Sequence, residues 1–593
     1  MVDYKADVLF SLSVHRQYYR GRCVLDNKIL FTNNYIEVRC DRNDIDTQTK
    51  LASIYPVHVN RIRTSYKMSI HNTPEILKLL RNIDENNIDT APLAIQNYFY
   101  KEMRLRDNVS DLLANGPRRS CVVSDRLTLR PHQQLGRELA EYYDKFAFFY
   151  DTRTGKTPLA LTIIKDDIVD NPSHKWLVVC PLILIYNAWL EDADKFFPEI
   201  KIVNCHAQTK AKRIKAMQQQ ANIYVTNTES FISYKEYFDK MGFHGVFVDE
   251  SSDLKSPRSK VSKAMVEFAQ TVNRFYLLSG TPAPNGEWEY YMQMRCIDYY
   301  GWQSSYTQFK ERYFINLSYE PQYEKLALRP DMKDELYSSL KKYSLYVDKE
   351  DVLNTPGRTF HEVEYDMPKD LMKHYRKMKN DLFIELGNDI RITAPSSAAK
   401  LNKLNQVTSG FILDTQAAKE NKFYGAELAE WHLLDNWRFK ALEDLLQQDG
   451  IRGEQVLIWA NYRKEFEIIQ SIFGSRCACI YGGTNLAEKN EAIKKFKAGE
   501  IQYLIANPAS ADKGLTLTNT HIAIYFSLNW SYELFKQSYD RIYADKSIQP
   551  NHCHYYIMMA RHTIDCILYR EVLQGKCNAS YSVLNHLKSE VLT

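Results

Sequence analysis

Gly155-Lys156-Thr157 stands between a nonpolar run, KFAFFY, and a segment, PLALTIIKDDIV, whose apolar spacing is that of a helix buried on one face. In a strand–loop–helix of this kind, backbone N–H groups cradle phosphates and a lysine reaches the β- and γ-phosphates. The following hydroxyl can ligate Mg²⁺. Thr154, Gly155, Lys156 and Thr157 are therefore the candidate phosphate-contacting run, and Pro158 is tolerated in the helix's first turn. The usual loop has a further glycine five places before Gly155, where Tyr150 stands. On its own the triplet is equally a lysine in a turn.

A phosphate loop needs an acid for its metal. GVFVDESSDLK supplies one, because Val246-Phe247-Val248 reads as a short strand ending in Asp249-Glu250. A carboxylate at a strand tip can hold Mg²⁺, and its neighbour can activate the attacking water. Two further segments, WLVVCPLILIYNAWLED and FYLLSGTPAPNG, are also nonpolar strands that break into polar residues. Buried strands alternating with helices predict a parallel sheet with its ligands outside the carboxyl ends.

Taken in this order, the segments resemble the motor of superfamily 2 helicases, particularly the Swi/Snf-type translocases. LTLRPHQQLGRELA resembles the segment that precedes that family's phosphate loop; the resemblance implies that Gln133 contacts adenine, with Arg130 beside it. Asp249-Glu250-Ser251-Ser252 stands where the family has its DEAH-type box, and Ser279-Gly280-Thr281-Pro282 matches its third motif.

A second alternating pattern begins near residue 435 and resembles the family's second lobe. Tyr481-Gly482-Gly483-Thr484 falls at its glycine-rich turn, and the run from Ser510 through Gly514 to Leu515 at its fifth motif. In QSYDRIYADKS, Gln537, Asp540 and Arg541 match its sixth. The implied role of Arg541 is to reach the γ-phosphate and stabilise transition-state charge. The family's second arginine, three residues on, is Ala544 here.

The expected fold is α/β: two recA-like parallel-sheet lobes preceded by a small α+β domain, with helical insertions between the lobes. The expected division is an N-terminal module at 1–106, a linker at 107–125, lobe one at 126–300, insertions and inter-lobe linker at 301–434, lobe two at 435–573 and a tail at 574–593. In the N-terminal module, Ile36 and Val38 mark one strand and Ile62, Tyr66, Met68 and Ile70 another. Thr73 would cap a helix in PEILKLLRNI. This pattern is similar to HARP-type modules and to a small domain of phage branch-migration helicases. Arg39, Arg42, Arg61, Arg63 and Lys67 form either a phosphate-binding face or a solvated basic edge.

The chain's 593 residues exceed one core, and a formal charge of +4 is too small to imply nucleic acid without local clustering. Its 11 cysteines include no CxxC, so neither a zinc site nor a disulfide framework is indicated by spacing. No signal pattern or membrane-length apolar run is present, which points to the cytoplasm, or to the nucleus in a eukaryotic setting. The resemblance implies ATP and Mg²⁺ as cofactors and double-stranded DNA, forked or branched, as partner. The implied activity is an ATP-dependent translocase that remodels forks or recombination intermediates. The alternatives are a motor acting on protein–DNA complexes and, because of Ala544, a poorly hydrolysing ATP-gated clamp.

Overall fold

The computed structural model describes residues 107–576, apart from 208, 300, 303–304, 319–324, 382, 387–389, 394–396, 415–429 and 512–514; before residue 107 it describes the backbones of five strands. These are β1 (Val8–Ser11), β2 (Lys28–Phe31), β3 (Tyr35–Arg39), β4 (Val57–Asn60) and β5 (Ser65–Ser69). They form an antiparallel sheet ordered β1-β2-β3-β5-β4. The two strands read from sequence are β3 and β5, paired Ile36 to Met68 and Val38 to Tyr66. The expected helix at 74–83 lies outside the described residues, as do Arg42, Arg61 and Arg63.

The chain divides at Val352–Leu353 into two compact units. In the first, β6 (Lys145–Tyr150), β7 (Trp176–Val179), β8 (Ile202–Asn204), β9 (Ile223–Thr226), β10 (Gly245–Asp249), β11 (Arg274–Leu278) and β12 (Ser344–Val347) form one parallel sheet. Its order is β8-β9-β7-β10-β11-β6-β12. Alternate residues of β6 enter different cores: Phe146, Phe148 and Tyr150 on one face, Ala147 and Phe149 on the other. A sheet covered on both faces needs apolar residues at every position, hence the continuous nonpolar run. Helix α1 (Pro131–Tyr142) and helix α2 (Lys156–Asp170) pack on the first of these faces.

The second unit repeats the plan with β13 (Arg358–Tyr365), β14 (Val456–Trp459), β15 (Cys477–Ile480), β16 (Tyr503–Ala506), β17 (Ile522–Tyr525) and β18 (Cys553–Ala560), all parallel and ordered β13-β18-β17-β14-β16-β15.

Three segments differ from expectation. Strand β12, read as inter-lobe linker, is the edge strand of the first sheet, and β13 is the edge of the second. All of β12 is buried, and Phe360, Val363 and Tyr365 of β13 are half-buried against the second unit's cores, so the chain passes from the first sheet to the second through the short segment around Val352–Leu353. Residues 107–115, read as linker, are helical: Val109 and Leu112, one turn apart, enter the core with α1. The insertions are not wholly helical, since Phe314–Asn316 pairs with Leu326–Leu328 and Phe383–Leu386 with Ile390–Thr393 as antiparallel hairpins.

The abundance of tyrosine also finds a reason in packing. Tyr150, Tyr276 and Tyr555 are fully buried, and each hydroxyl donates to a backbone carbonyl, of His132 (2.7 Å), Tyr143 (3.0 Å) and Tyr539 (2.8 Å) respectively. A phenol fills core volume while its hydroxyl pairs with backbone, and at Tyr143 and Tyr539 the carbonyl it meets is one at a helix's carboxyl end.

Candidate nucleotide site

Parallel register brings three strand ends to one edge of the first sheet. Asp249 of β10 lies opposite Leu278 of β11, and Leu278 opposite Phe148 of β6. The segments that leave these strands, 151–155, 250–254 and 279–282, therefore emerge together.

At the loop, Gly155 adopts φ 87°, and no side chain caps α2. The helix's first N–H groups point at the loop, as an anion site requires. A side chain at 155 is doubly excluded, by the left-handed backbone and because a Cβ would stand 2.1 Å from Gln133 Nε2. Lys156 Nζ donates to the Tyr150 carbonyl at 3.1 Å, so the amine lies over the loop and not in solvent. Gly280 completes the cradle: a Cβ there would meet Thr152 N at 3.3 Å, the Tyr150 carbonyl at 3.4 Å and Lys156 Nζ at 3.5 Å.

Asp249 is buried, with Oδ2 accepting from Trp189 Nε1 at 3.1 Å and Oδ1 from the Glu250 N–H at 3.0 Å. Burial first, and then the adjoining Glu250, lift its carboxyl to about 6, against the pull of Lys156 and the indole. Glu250 sits at φ 55°, a left-handed conformation that costs a non-glycine residue about 1–2 kcal/mol. Two crowded acids held beside an uncapped helix end fit a Mg²⁺–phosphate pair, which would relieve both carboxylates at once.

Gln133, expected at adenine, is placed against the loop. Its Oε1 accepts from the Arg130 N–H and its Nε2 donates to the Gly155 carbonyl, both at 2.8 Å. His132 Nε2 likewise donates to the Thr154 carbonyl at 2.8 Å, and Thr154 Oγ1 to the Asp151 carbonyl at 2.7 Å. Arg130 is exposed at the start of α1, and Thr157 is half-buried on the first turn of α2.

Two residues that sequence reasoning passed over join this edge. Lys349, only 2% exposed, donates to Thr152 Oγ1 at 2.8 Å and lies 3.7 Å from Asp151 Oδ2. It stands two residues beyond β12, and the pairing of β12 with β6 delivers it to the loop. Gln293, on α3 (Tyr290–Ile297), accepts from Ser251 Oγ at 2.8 Å and donates to the Pro282 carbonyl at 2.7 Å. It thus joins the acid-bearing turn to the Ser279–Pro282 turn. Neither residue has a spacing signal; in the sequence Lys349 is one of four charged residues that follow SLYV, and nothing there sets it apart.

In the second unit, α4 (Arg463–Phe473) follows β14, and α5 (Tyr532–Tyr539) leads into Asp540 and Arg541. Arg541 is mostly buried, its Nη1 donating to the Leu515 carbonyl at 3.4 Å, and Gln537 Nε2 donates to Glu533 at 3.4 Å. Gly514 lies outside the described residues. Ala544 is buried, and the Arg358 guanidinium lies over the ring of the adjacent Tyr543 at 4.8 Å.

Comparison with known proteins follows the same division. A family model described as SNF2-related domain matches residues 50–416, and one described as helicase conserved C-terminal domain matches 437–544. Protein p41 of Acyrthosiphon pisum secondary endosymbiont phage 1 is 26% identical over 414 residues, covering 67% of this chain and 85% of that protein. Human DNA annealing helicase and endonuclease ZRANB3 is 23% identical over 500 residues, covering 80% of this chain; the chain spans only 43% of that protein's length. The solved Sulfolobus solfataricus SWI2/SNF2 ATPase core in complex with dsDNA aligns at TM-score 0.35 and 18% identity, over 78% of this chain and 97% of that one, too loosely for residue correspondences. With the SNF2-related match spanning more than half of its residues, the chain belongs to the SNF2-related family, the Swi/Snf-type branch of superfamily 2, among the ATP-dependent helicases and translocases.

Proposed function

We propose that the chain is an ATP-driven motor that moves along double-stranded DNA and remodels forked or branched intermediates. The observation that carries the reading is the convergence of Lys156, Asp249, Glu250 and the Gly280 cradle on the uncapped start of α2. Backbone N–H groups from Thr154 to Thr157 and the Lys156 amine would bind the β- and γ-phosphates. Thr157 and Asp249 would hold Mg²⁺, which when bound neutralises phosphate charge. Glu250 is assigned to orient and deprotonate the attacking water, and Arg541 to the γ-phosphate. Gln133, with Arg130, is assigned to the base; Gly514 and Gln537 are assigned to the nucleotide from the second unit.

DNA would be gripped through its phosphates, without sequence reading. The fork-directed part of the reading is supported by the name of ZRANB3, a DNA annealing helicase, and by the N-terminal sheet that precedes the motor. ATP turnover measured with duplex, single-stranded and forked DNA tests the whole reading. Stimulation by duplex, strongest on forks, and fork regression lost on deleting residues 1–106 are expected. Duplex stimulation with no preference for branches would redirect the reading to a motor acting on protein–DNA complexes. Buried Ala544 favours one further alternative, a clamp that binds ATP and DNA with little hydrolysis. Tight ATP-dependent DNA binding at negligible turnover would establish it.

A further inference from the structure

The opposite, amino-terminal edge of the first sheet carries a second constellation. Asp167 lies in the last turns of α2, His174 in the connection to β7 and His244 immediately before β10. Parallel pairing of β7 and β10 sets Gly245 opposite Trp176, which brings both histidines to the same carboxylate. His174 Nδ1 lies 3.2 Å from Asp167 Oδ1, and His244 Nε2 lies 3.5 Å from the same oxygen. Among the described residues, this is the one group of three or more His, Cys, Asp or Glu side chains whose ligand atoms all fall within 4.8 Å of one another.

We propose that Asp167, His174 and His244 form a binding site for a first-row divalent transition metal ion, Zn²⁺ or Co²⁺ in kind, separate from the nucleotide's Mg²⁺. Metal–ligand bonds of about 2.0–2.2 Å around a tetrahedral ion set ligand atoms about 3.3 Å apart, close to the separations from Asp167 Oδ1. The two imidazoles stack at 3.7 Å and 11°, so the more exposed His174 ring must turn about its Cβ–Cγ bond to aim Nδ1 at a shared ion. Two imidazoles and one carboxylate suit zinc or cobalt and not magnesium, which takes oxygen ligands.

The surroundings support the ligands as an outer shell does. Trp176 Nε1 donates to Asp167 Oδ2 at 2.8 Å and so orients the carboxylate, which meets His174 Nδ1 with both oxygens, Oδ1 at 3.2 Å and Oδ2 at 3.0 Å, and His244 with Oδ1. Gly245 permits that indole position, since a Cβ there would strike the ring at 2.3 Å. Asn273 meets His244 Nδ1 at 3.3 Å, and its amide, turned to present oxygen, would fix the proton on Nδ1 and leave Nε2 as the donor to metal. Backbone bonds from His244 N to the Lys175 carbonyl (2.8 Å) and from His174 N to the Asn171 carbonyl (2.9 Å) fix the ligand-bearing turns. The adjacent cations are engaged elsewhere: Arg274 pairs with Asp144 at 3.8 Å and Lys175 donates to the Met241 carbonyl at 3.2 Å. The His174 and His244 side chains are 26% and 17% exposed, so an ion can enter and water can complete its shell.

The test uses the full chain, stripped with a chelator and titrated with Co²⁺ and Zn²⁺, beside a His174→Gln/His244→Gln variant. Wild type should bind one more equivalent than the variant, with a Co²⁺ visible spectrum of nitrogen and oxygen ligation and a Zn²⁺-dependent rise in Tm. Asn273→Ala, which keeps all three ligands, should weaken binding about tenfold. Basal ATP turnover should be unchanged in the variants. Equal stoichiometry in wild type and the double variant overturns the proposal, as does Co²⁺ ligation dominated by thiolate charge transfer or unaltered affinity in Asn273→Ala.

Discussion

Asp249 in the first unit and Asp565 in the second are both buried aspartates, yet their surroundings differ in kind. Asp565 accepts from Arg438 at 2.7 Å, from Thr408 Oγ1 at 2.9 Å and from the Ala560 N–H at 3.0 Å. Nearby Glu465, on α4, is saturated in the same way by Ser409, Ser527 and the N–H groups of Asn461 and Tyr462. Burial raises the carboxyls of both Glu465 and Asp249, but Asp249 also adjoins a second carboxylate that raises it further, next to backbone held left-handed at Glu250 and Arg153. Saturated buried charge staples distant segments together. Crowded charge beside strained backbone is held in place by the fold for a ligand to relieve.

Substitutions can break that contrast. Arg438→Met should have the largest effect, because it leaves Asp565 buried without its cation, a loss of about 3–5 kcal/mol read by denaturant unfolding. Retained stability would show the pair to be dispensable. Lys156→Ala should lower DNA-stimulated ATP turnover by about 10²–10³-fold with an unfolding midpoint close to wild type; unchanged turnover would refute the phosphate-site assignment. Glu250→Gly should go in opposite directions at once, raising stability by about 1 kcal/mol through relief of the left-handed backbone while turnover collapses. Lys403 offers the smallest and subtlest effect. Burial holds its amine down to about 8 from the usual 10.5, with Asp414 opposing. Between those values the unfolded chain carries a proton that the folded chain lacks, so stability should rise with pH across that window. Below about 8 both forms are protonated and the slope vanishes. Lys403→Met should flatten the rise; an identical slope would remove Lys403 from the account.

The phosphate loop and the acidic turn were legible because each sits at the end of a short apolar run, and such a run fixes where its polar successor emerges. The recA-like plan followed from their alternation with helices. What escaped the sequence depends on register between strands far apart. Lys349 meets Thr152 across 197 positions, and His174 meets His244 only because β7 and β10 pair in parallel. The helix at 107–115 was hidden by its polar composition, although Val109 and Leu112 carry the one-turn spacing that buries it. β12 and β13 read as a linker for two different reasons: SLYV is only four residues long beside a charged turn, and RTFHEVEY carries polar residues along most of its eight positions.

Gln133 touches the loop through the Gly155 carbonyl. If the same amide reads the base, one side chain ties recognition of the nucleotide's head to the placement of its tail. A purine with the wrong edge would then leave that amide unpaired and the loop less firmly held. Discrimination among nucleoside triphosphates would be written in kcat as well as in KM.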